Sequence, residues 1–289
     1  MNLEDWKNSF QDWHSHSSFC RHATGNLEQY VKAAINKKLS VIGLSAHFPY
    51  DVLDGIENMP YHEYSMPKDE LDSFVLNTIN LREKYKNQIS VKIGFELDFV
   101  EKQVDKHHEY LERYSDQIDY IIGSIHNLET PFGLFAFDDI RFLKYYDKFE
   151  DTDEIYMNYF KTMQAMISSE QFHFTTIGHF DLPKKFNILP NNKELIMKEG
   201  IKALKMAEKR DIVIEINTSG LRKPIKEQYP SKEFIKEMFN LGIDVVLGSD
   251  AHHPNELAYE FELITTLLKK IGYERLAHFD KGTKTYIKI

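Results

Sequence analysis

Seven short runs of β-branched and aromatic residues recur along the chain, and longer stretches with helical spacing separate them. The runs are 9–14 "SFQDWH", 41–46 "VIGLSA", 91–97 "VKIGFEL", 119–125 "DYIIGSI", 174–178 "FTTIG", 212–216 "IVIEI" and 244–248 "DVVLG". The clearest helical patterns are "NLEQYVKAAINKK", "DELDSFVLNTINLREKY", "NNKELIMKEGIKALKMAEKR", "SKEFIKEMFNLG" and "NELAYEFELITTLLKKIG". Strands that alternate with helices predict a parallel sheet. Seven such units in 289 residues fit a closed barrel better than an open sheet. No repeat, low-complexity tract or Pro/Gly-rich linker marks a boundary, so one domain over 1–289 is expected. The terminal "RLAHFDKGTKTYIKI" reads as a hairpin packed on the outside, and the aromatic stretch 130–150 as a loop that covers a site.

The residue types at the end of each run then become the informative feature. The first run leads to His14 and His16, with His22 in the following loop. His47, Glu96, His126 and His179 stand at the ends of the next four, Asn217 at the sixth, and Asp250 with His252 at the seventh. Six of the seven ends therefore carry a metal-ligand residue type. In a β/α barrel the strand C-termini form one rim, where active sites are built. His14 and His16 also share a side of an extended strand, because side chains alternate there with period two. A single histidine after a strand is ordinarily structural, but seven histidines, a Glu and an Asp at equivalent positions imply a metal cluster.

The other six histidines fall elsewhere: His62 in a polar loop, His107 and His108 in a charged helix, and His173 before a strand. His278 lies in the terminal hairpin, and His253 is turned away from Asp250 by alternation. Cys20 is not needed as a ligand, since the histidines already supply enough donors. Nine donors exceed the four that Zn²⁺ commonly takes, so three ions fit better, with Glu96 bridging two of them. Imidazole with carboxylate suits Zn, Mn or Fe and does not separate them. Two ions about 3.5–4 Å apart can share a hydroxide and bring the pKa of water from about 15.7 towards about 7.

Composition narrows the partners. The 45 acidic and 36 basic residues leave a formal charge of −9, which opposes general binding to nucleic acid or an anionic membrane. No apolar run approaches the roughly 20 residues of a membrane span, and the acidic, polar "MNLEDWKNSF" is unlike a signal peptide. One cysteine permits no internal disulfide and suits a cytoplasmic location.

The stretches "DWHSH", "FCRH", "VIGLSAHFP", "GFELDF", "IIGSIHNL", "TIGHFDL", "IEINTSGLRKP" and "LGSDAHHP" occur in this order over nearly the whole chain. With them the sequence resembles the polymerase and histidinol phosphatase (PHP) superfamily, and within it the monofunctional histidinol-phosphatases. The resemblance implies a distorted seven-stranded (β/α)7 TIM-like barrel with a trinuclear site. Carried over by position, it gives one ion to His14, His16, Glu96 and Asp250. The second falls to Glu96, His126 and His179, and the third to His22, His47 and His252. In one departure, Ala46 precedes His47 where the family often places an acid, which leaves open what supports His47.

Two basic spots follow ligand-bearing ends, "DLPKKF" at 181–186 and "GLRKP" at 220–224. Arg222 is expected to enter the rim and fork onto phosphate oxygens, with Lys185 approaching from the preceding unit. Lys184 and Lys223 are expected on solvated surface. The resulting scheme has a shared hydroxide attacking phosphorus in line, with the ions and Arg222 stabilising charge on the phosphoryl oxygens. Asp250 would orient the hydroxide or relay its proton, and His252 or a water would protonate the leaving group. The expected substrate is a small phosphate monoester, L-histidinol phosphate on the resemblance. A sugar, nucleotide or tyrosine phosphate, an oligonucleotide 3′ end, a neutral amide, and a non-catalytic metal-stabilised module are the rivals.

Overall fold

The computed structural model describes residues 10–50, 61–131 and 133–289. Ser9 of the first run and the side chain of His107 lie outside the described set. Seven strands form one parallel sheet: β1 (Gln11–Asp12), β2 (Val41–Leu44), β3 (Ser90–Asp98), β4 (Tyr120–Ser124), β7 (Thr176–Ile177), β8 (Val213–Asn217) and β9 (Val245–Gly248). The spatial order is the sequence order. The ends meet as well: the Trp13 N–H donates to the Leu247 carbonyl at 3.0 Å, and a parallel bridge joins Ser15 to Ala251. This is the expected α/β barrel. It is distorted because β1 and β7 are only two residues long.

Helices α1 (Leu27–Asn36), α2 (Leu71–Tyr85), α3 (Val104–Glu112), α4 (Thr152–Ser168), α5 (Lys193–Lys209), α6 (Lys232–Asn240) and α7 (Phe261–Ile271) connect the strands. The start of α1 is set by a capping box, in which Asn26 and Gln29 satisfy each other's backbone N–H. The apolar stripe of α4, from Ile155 to Ile167, is buried and packs beside α5. After β4 the chain does not go straight into a helix. A small antiparallel hairpin, β5 (Asn127–Thr130) and β6 (Gly133–Ala136), and a 3-10 segment, Ile140–Lys148, come first.

Inside the barrel, Tyr120 at the start of β4 reaches across to donate its hydroxyl to the Trp13 carbonyl at 2.6 Å. Glycines on β2 and β3 make room for it: a Cβ at Gly43 would lie 2.1 Å from the Tyr120 hydroxyl oxygen, and one at Gly94 2.3 Å from its ring. Trp13, Val41, Tyr120, Val213 and Val246 form a separate core cluster together with Ala277 and Phe279. The last two belong to the terminal hairpin β10 (Arg275–Asp280) and β11 (Thr283–Lys288). The hairpin is therefore not an appendage on the outer wall. It closes the apolar end of the barrel, with Trp13 edge-on to Phe279 at 5.6 Å, and leaves the strand C-termini as the polar mouth.

Candidate metal centre

Each strand delivers its polar residue to that mouth, and Glu96 at the end of β3 stands in the middle. The carboxylate is 1 % exposed, and its two oxygens face different groups. Oε2 lies 3.2 Å from His14 Nε2, 3.3 Å from His16 Nε2 and 3.2 Å from His47 Nδ1. Oε1 lies 2.9 Å from His179 Nε2 and 3.5 Å from His126 Nε2, and accepts the Ser124 hydroxyl at 2.7 Å. Asp250 enters from β9, with Oδ1 3.2 Å from His16 Nε2 and 3.8 Å from His14 Nε2. On the outer side, His252 Nε2 and His22 Nε2 are 2.9 Å apart, and the His252 ring stacks on His16 at 4.4 Å between centroids. All nine donors expected from the sequence thus meet within one cluster.

Three triads have donor atoms within 4.8 Å of one another: His14, His16 and Glu96; His47, Glu96 and His126; and His16, His47 and His252. The chemistry of this set fits cations. His14 Nε2 and His16 Nε2 are buried without hydrogen-bond partners, and both face carboxylate oxygens. His126 and His179 bring their Nε2 atoms to 3.2 Å of each other, a spacing at which a proton or a cation must separate the two lone pairs. The first triad falls within one of the ligand sets that the resemblance implies. In the other two, His47 stands among His126, Glu96 and His16 rather than with His22 and His252 alone.

Electrostatics follow from this crowding. Burial opposes ionisation of Glu96 and Asp250, but facing imidazoles outweigh it and hold both carboxyls well below the usual range. Burial lowers His14 too, yet Glu215, Glu96 and Asp250 raise it well above an ordinary imidazole. His126 is likewise pulled down by burial and pushed up by Glu96 and Asp98, to about 9. Burial and the neighbouring His16 press His252 down to about 3. A ring that is neutral at physiological pH suits a metal ligand. His179 and Asp250 take left-handed backbone angles, with φ of 23° and 50°. Such conformations in non-glycine residues cluster where a side chain must be aimed.

Outer groups that the sequence reading passed over fix the rings. Glu215, on β8, takes His14 Nδ1 at 2.7 Å on Oε1, and accepts the His179 N–H at 3.0 Å and Asn217 Nδ2 at 2.9 Å on Oε2. With Nδ1 donating to Glu215, the lone pair of His14 is on Nε2, the atom turned to Glu96. A Cβ at Gly248 would lie 1.8 Å from Glu215 Oε1, so this strand passes the carboxylate only as glycine. Asp98 accepts the His126 N–H at 2.8 Å and a bond from Asn127. Their signal was parity: Glu215 is two residues before Asn217, and Asp98 two after Glu96, so each shares a side with a residue at the mouth.

Support for His47 comes from elsewhere than the acid absent at Ala46. The Tyr50 hydroxyl is 3.2 Å from His47 Nδ1, and the His47 N–H donates to Cys20 Sγ at 3.2 Å. Burial pushes the Cys20 thiol up to about 12, and its sulfur lies 3.3 Å from His16 Nδ1, behind the ring. Asp250 is held through Oδ2 by Ser219 at 3.0 Å and Asn217 at 3.4 Å.

The cluster opens into a cavity of about 510 Å³ whose wall carries Lys185 and Lys223. Lys185 Nζ lies 2.7 Å from the Asp138 carbonyl and 2.9 Å from its Oδ2. Lys223 was expected in solvent; instead it lines the cavity, and burial and the nearby Lys185 lower its pKa. Arg222, expected on the rim, is not among the lining residues. Its Nη2 donates to the carbonyls of Ser249 at 2.9 Å and Asp250 at 3.1 Å, and its Nε faces Glu256 at 3.5 Å. It braces the turn that presents Asp250. Lys184 is buried between Asp181 at 3.0 Å and Glu227 at 2.8 Å rather than solvated. The stretch 133–150 does reach the site, as Asp138, Asp139 and Ile140 line the cavity.

The PHP domain family model matches residues 12–219 of the chain. The chain belongs to the PHP domain family. Among its PHP relatives, a Deinococcus radiodurans protein named "Probable histidinol-phosphatase" is 28 % identical over 90 % of this chain and 93 % of its own. The Bacillus subtilis histidinol-phosphatase is 26 % identical over 87 % of this chain and 97 % of its own. The PHP fold here also superposes on the Lactococcus lactis histidinol phosphate phosphatase, with a TM-score of 0.77 at 20 % identity, over 96 % of this chain and 99 % of that one. That protein was crystallised with Zn, L-histidinol and phosphate. Among the described residues, no helix is long and apolar enough to cross a membrane.

Proposed function

We propose that this PHP protein is a metal-dependent histidinol-phosphatase that hydrolyses L-histidinol phosphate to L-histidinol and phosphate. One observation carries the reading: a carboxylate-centred imidazole cluster shares a cavity with two lysines. A cation cage beside an anion-binding wall is what a phosphate monoester needs, whereas a neutral amide has no use for the lysines. The names of the relatives and the ligands of the Lactococcus protein supply the substrate. The same reading makes it a cytoplasmic biosynthetic enzyme, in keeping with a lone buried thiol.

The ligands we assign are His14, His16, His22, His47, Glu96, His126, His179, Asp250 and His252, for three divalent ions. Glu96 would be shared between two of them, since Oε2 faces His14, His16 and His47 while Oε1 faces His126 and His179. Zn accompanies the Lactococcus protein, and Mn and Fe suit the same donors. Bound divalent cations lower the pKa of water towards neutrality and draw charge from the phosphoryl oxygens. The chain's own part is placement. Lys185 and Lys223 hold the phosphate, and Asp250 Oδ1, fixed by the bonds to Oδ2, orients the attacking water by accepting its hydrogen. Arg222 keeps Asp250 in place through the carbonyls of residues 249 and 250.

The test is phosphate release by purified protein, stripped with chelator and reloaded with Zn, Mn or Fe. L-histidinol phosphate would be compared with p-nitrophenyl phosphate, phosphotyrosine and single-stranded DNA. L-histidinol phosphate is expected to give the highest kcat/KM, and only with metal. Turnover that survives chelation, or a preference for another ester, would sink the reading.

A further inference from the structure

Among the described residues, four carboxylates line the cavity, and three already have duties: Glu96 and Asp250 sit in the cation cluster, and Asp139 bonds the Tyr64 hydroxyl and Arg141. Asp138 is the fourth. Its carboxylate has 19 % of its side chain exposed and is held below the usual range, since Lys185 and His126 outweigh its burial. Its neighbour Lys185 has three protons, of which Asp138 accounts for two through its carbonyl and Oδ2. The wall therefore presents positive, then negative charge, with 2.9 Å between Nζ and Oδ2.

We infer that Asp138 is a specificity-determining residue, selecting phosphate esters that carry an ammonium two carbons from the ester oxygen. This rests on the phosphatase reading. In such an ester the sequence N–C–C–O–P has four bonds of roughly 1.5 Å each, which places nitrogen roughly 4–5 Å from phosphorus. A phosphate oxygen on the remaining Lys185 proton and an ammonium on the Asp138 carboxylate then continue the alternation of charge without breaking the ion pair. A neutral ester of the same length leaves the carboxylate without a substrate partner. Asp138 lies beyond the β5–β6 hairpin and outside the seven strand ends, so it is not one of the nine proposed metal ligands.

The experiment compares kcat/KM for phosphoethanolamine and propyl phosphate, which share a chain length and differ in charge, in metal-loaded wild type and Asp138→Asn. The wild-type ratio should favour the ammonium by at least about tenfold, and Asp138→Asn should bring it towards one. Asp138→Glu, which restores the charge, should recover part of it. 3-Aminopropylphosphonate and butylphosphonate, which keep the four-bond spacing with a methylene in place of the ester oxygen, give the same comparison as competitive inhibitors of wild type should the variants fold poorly. A wild-type ratio near one, equal inhibition by the two phosphonates, or an unchanged ratio in a folded Asp138→Asn overturns the inference. Failure to hydrolyse L-histidinol phosphate with the ratio intact would overturn the proposed substrate and leave the role of Asp138 standing.

Discussion

Replacing Glu215 by Gln removes one negative charge and almost no volume, yet it should cost the protein its grip on metal. The carboxylate serves three donors: His14 Nδ1 at 2.7 Å, the His179 N–H at 3.0 Å and Asn217 Nδ2 at 2.9 Å. An amide has one oxygen and one NH₂. With its oxygen on His14, the NH₂ meets two donors. Turned round, it presents NH₂ to His14 Nδ1, and the ring must then carry its proton on Nε2, the atom that faces Glu96. The second arrangement takes from Nε2 the lone pair that faces the cluster, and the first leaves a buried donor without an acceptor, at a cost of about 1–3 kcal/mol. At about 1.36 kcal/mol per decade that is a loss of roughly 5- to 150-fold in affinity, bracketing the 10- to 100-fold typical when such an outer partner is lost.

Titration of metal-free protein with Zn against a chromophoric chelator reads this directly. Thermal melting of the same metal-free samples reads stability. Asp250, Glu96 and the nine-donor set are untouched by the change, so its effect should appear in affinity before it appears in kcat. A folded Glu215→Gln variant that binds Zn within about twofold of wild type would refute the claim that Glu215 sets the His14 tautomer. A lowered melting point with unchanged affinity would refute it equally, since the residue would then be supporting the barrel alone.

Four further outcomes follow. Tyr120→Phe deletes the hydroxyl that donates to the buried Trp13 carbonyl at 2.6 Å, and should lower unfolding free energy by about 1–3 kcal/mol in a urea titration while metal affinity holds. Lys223→Ala should raise KM for phosphate esters more than it lowers kcat; a pure kcat effect would remove Lys223 from phosphate binding. With His126 at about 9, metal must displace its proton, so apparent affinity should climb about tenfold per pH unit for that proton as pH rises towards 9. In metal-free protein the same raised pKa gives stability that is complete below the unfolded value of 6.5 and is lost as pH rises through about 9. Melting of chelated samples across that window checks the sign: a melting point that rises with pH there would contradict it.

Most of the proposed metal ligands were legible because they stand on a strand or within a few residues of its end. A strand end fixes where its residue goes, and a barrel gathers all such ends on one rim, so His47, Glu96, His126 and Asp250 could be placed together without any contact being known. Glu215 and Asp98 were missed because they interrupt apolar runs, where an acid reads as an exception to a strand unless its parity with Asn217 or Glu96 is followed. The hairpin at 275–289 was foreseen, but its place across the barrel end depends on Phe279 and Ala277 meeting Trp13, a contact that no local pattern encodes. Direction fails sooner in irregular segments. Arg222 and Lys223 are adjacent on a 3-10 turn, and which of them faces the cavity is decided by the carbonyls of Ser249 and Asp250 that capture the arginine. The acid we connect with substrate choice, Asp138, lies on the hairpin-bearing connection after β4. On this reading, regular strands aim the reaction and an irregular insertion chooses the ester. The first can be deduced from periodicity, and the second only from the folded arrangement, because nothing periodic constrains where a loop residue points.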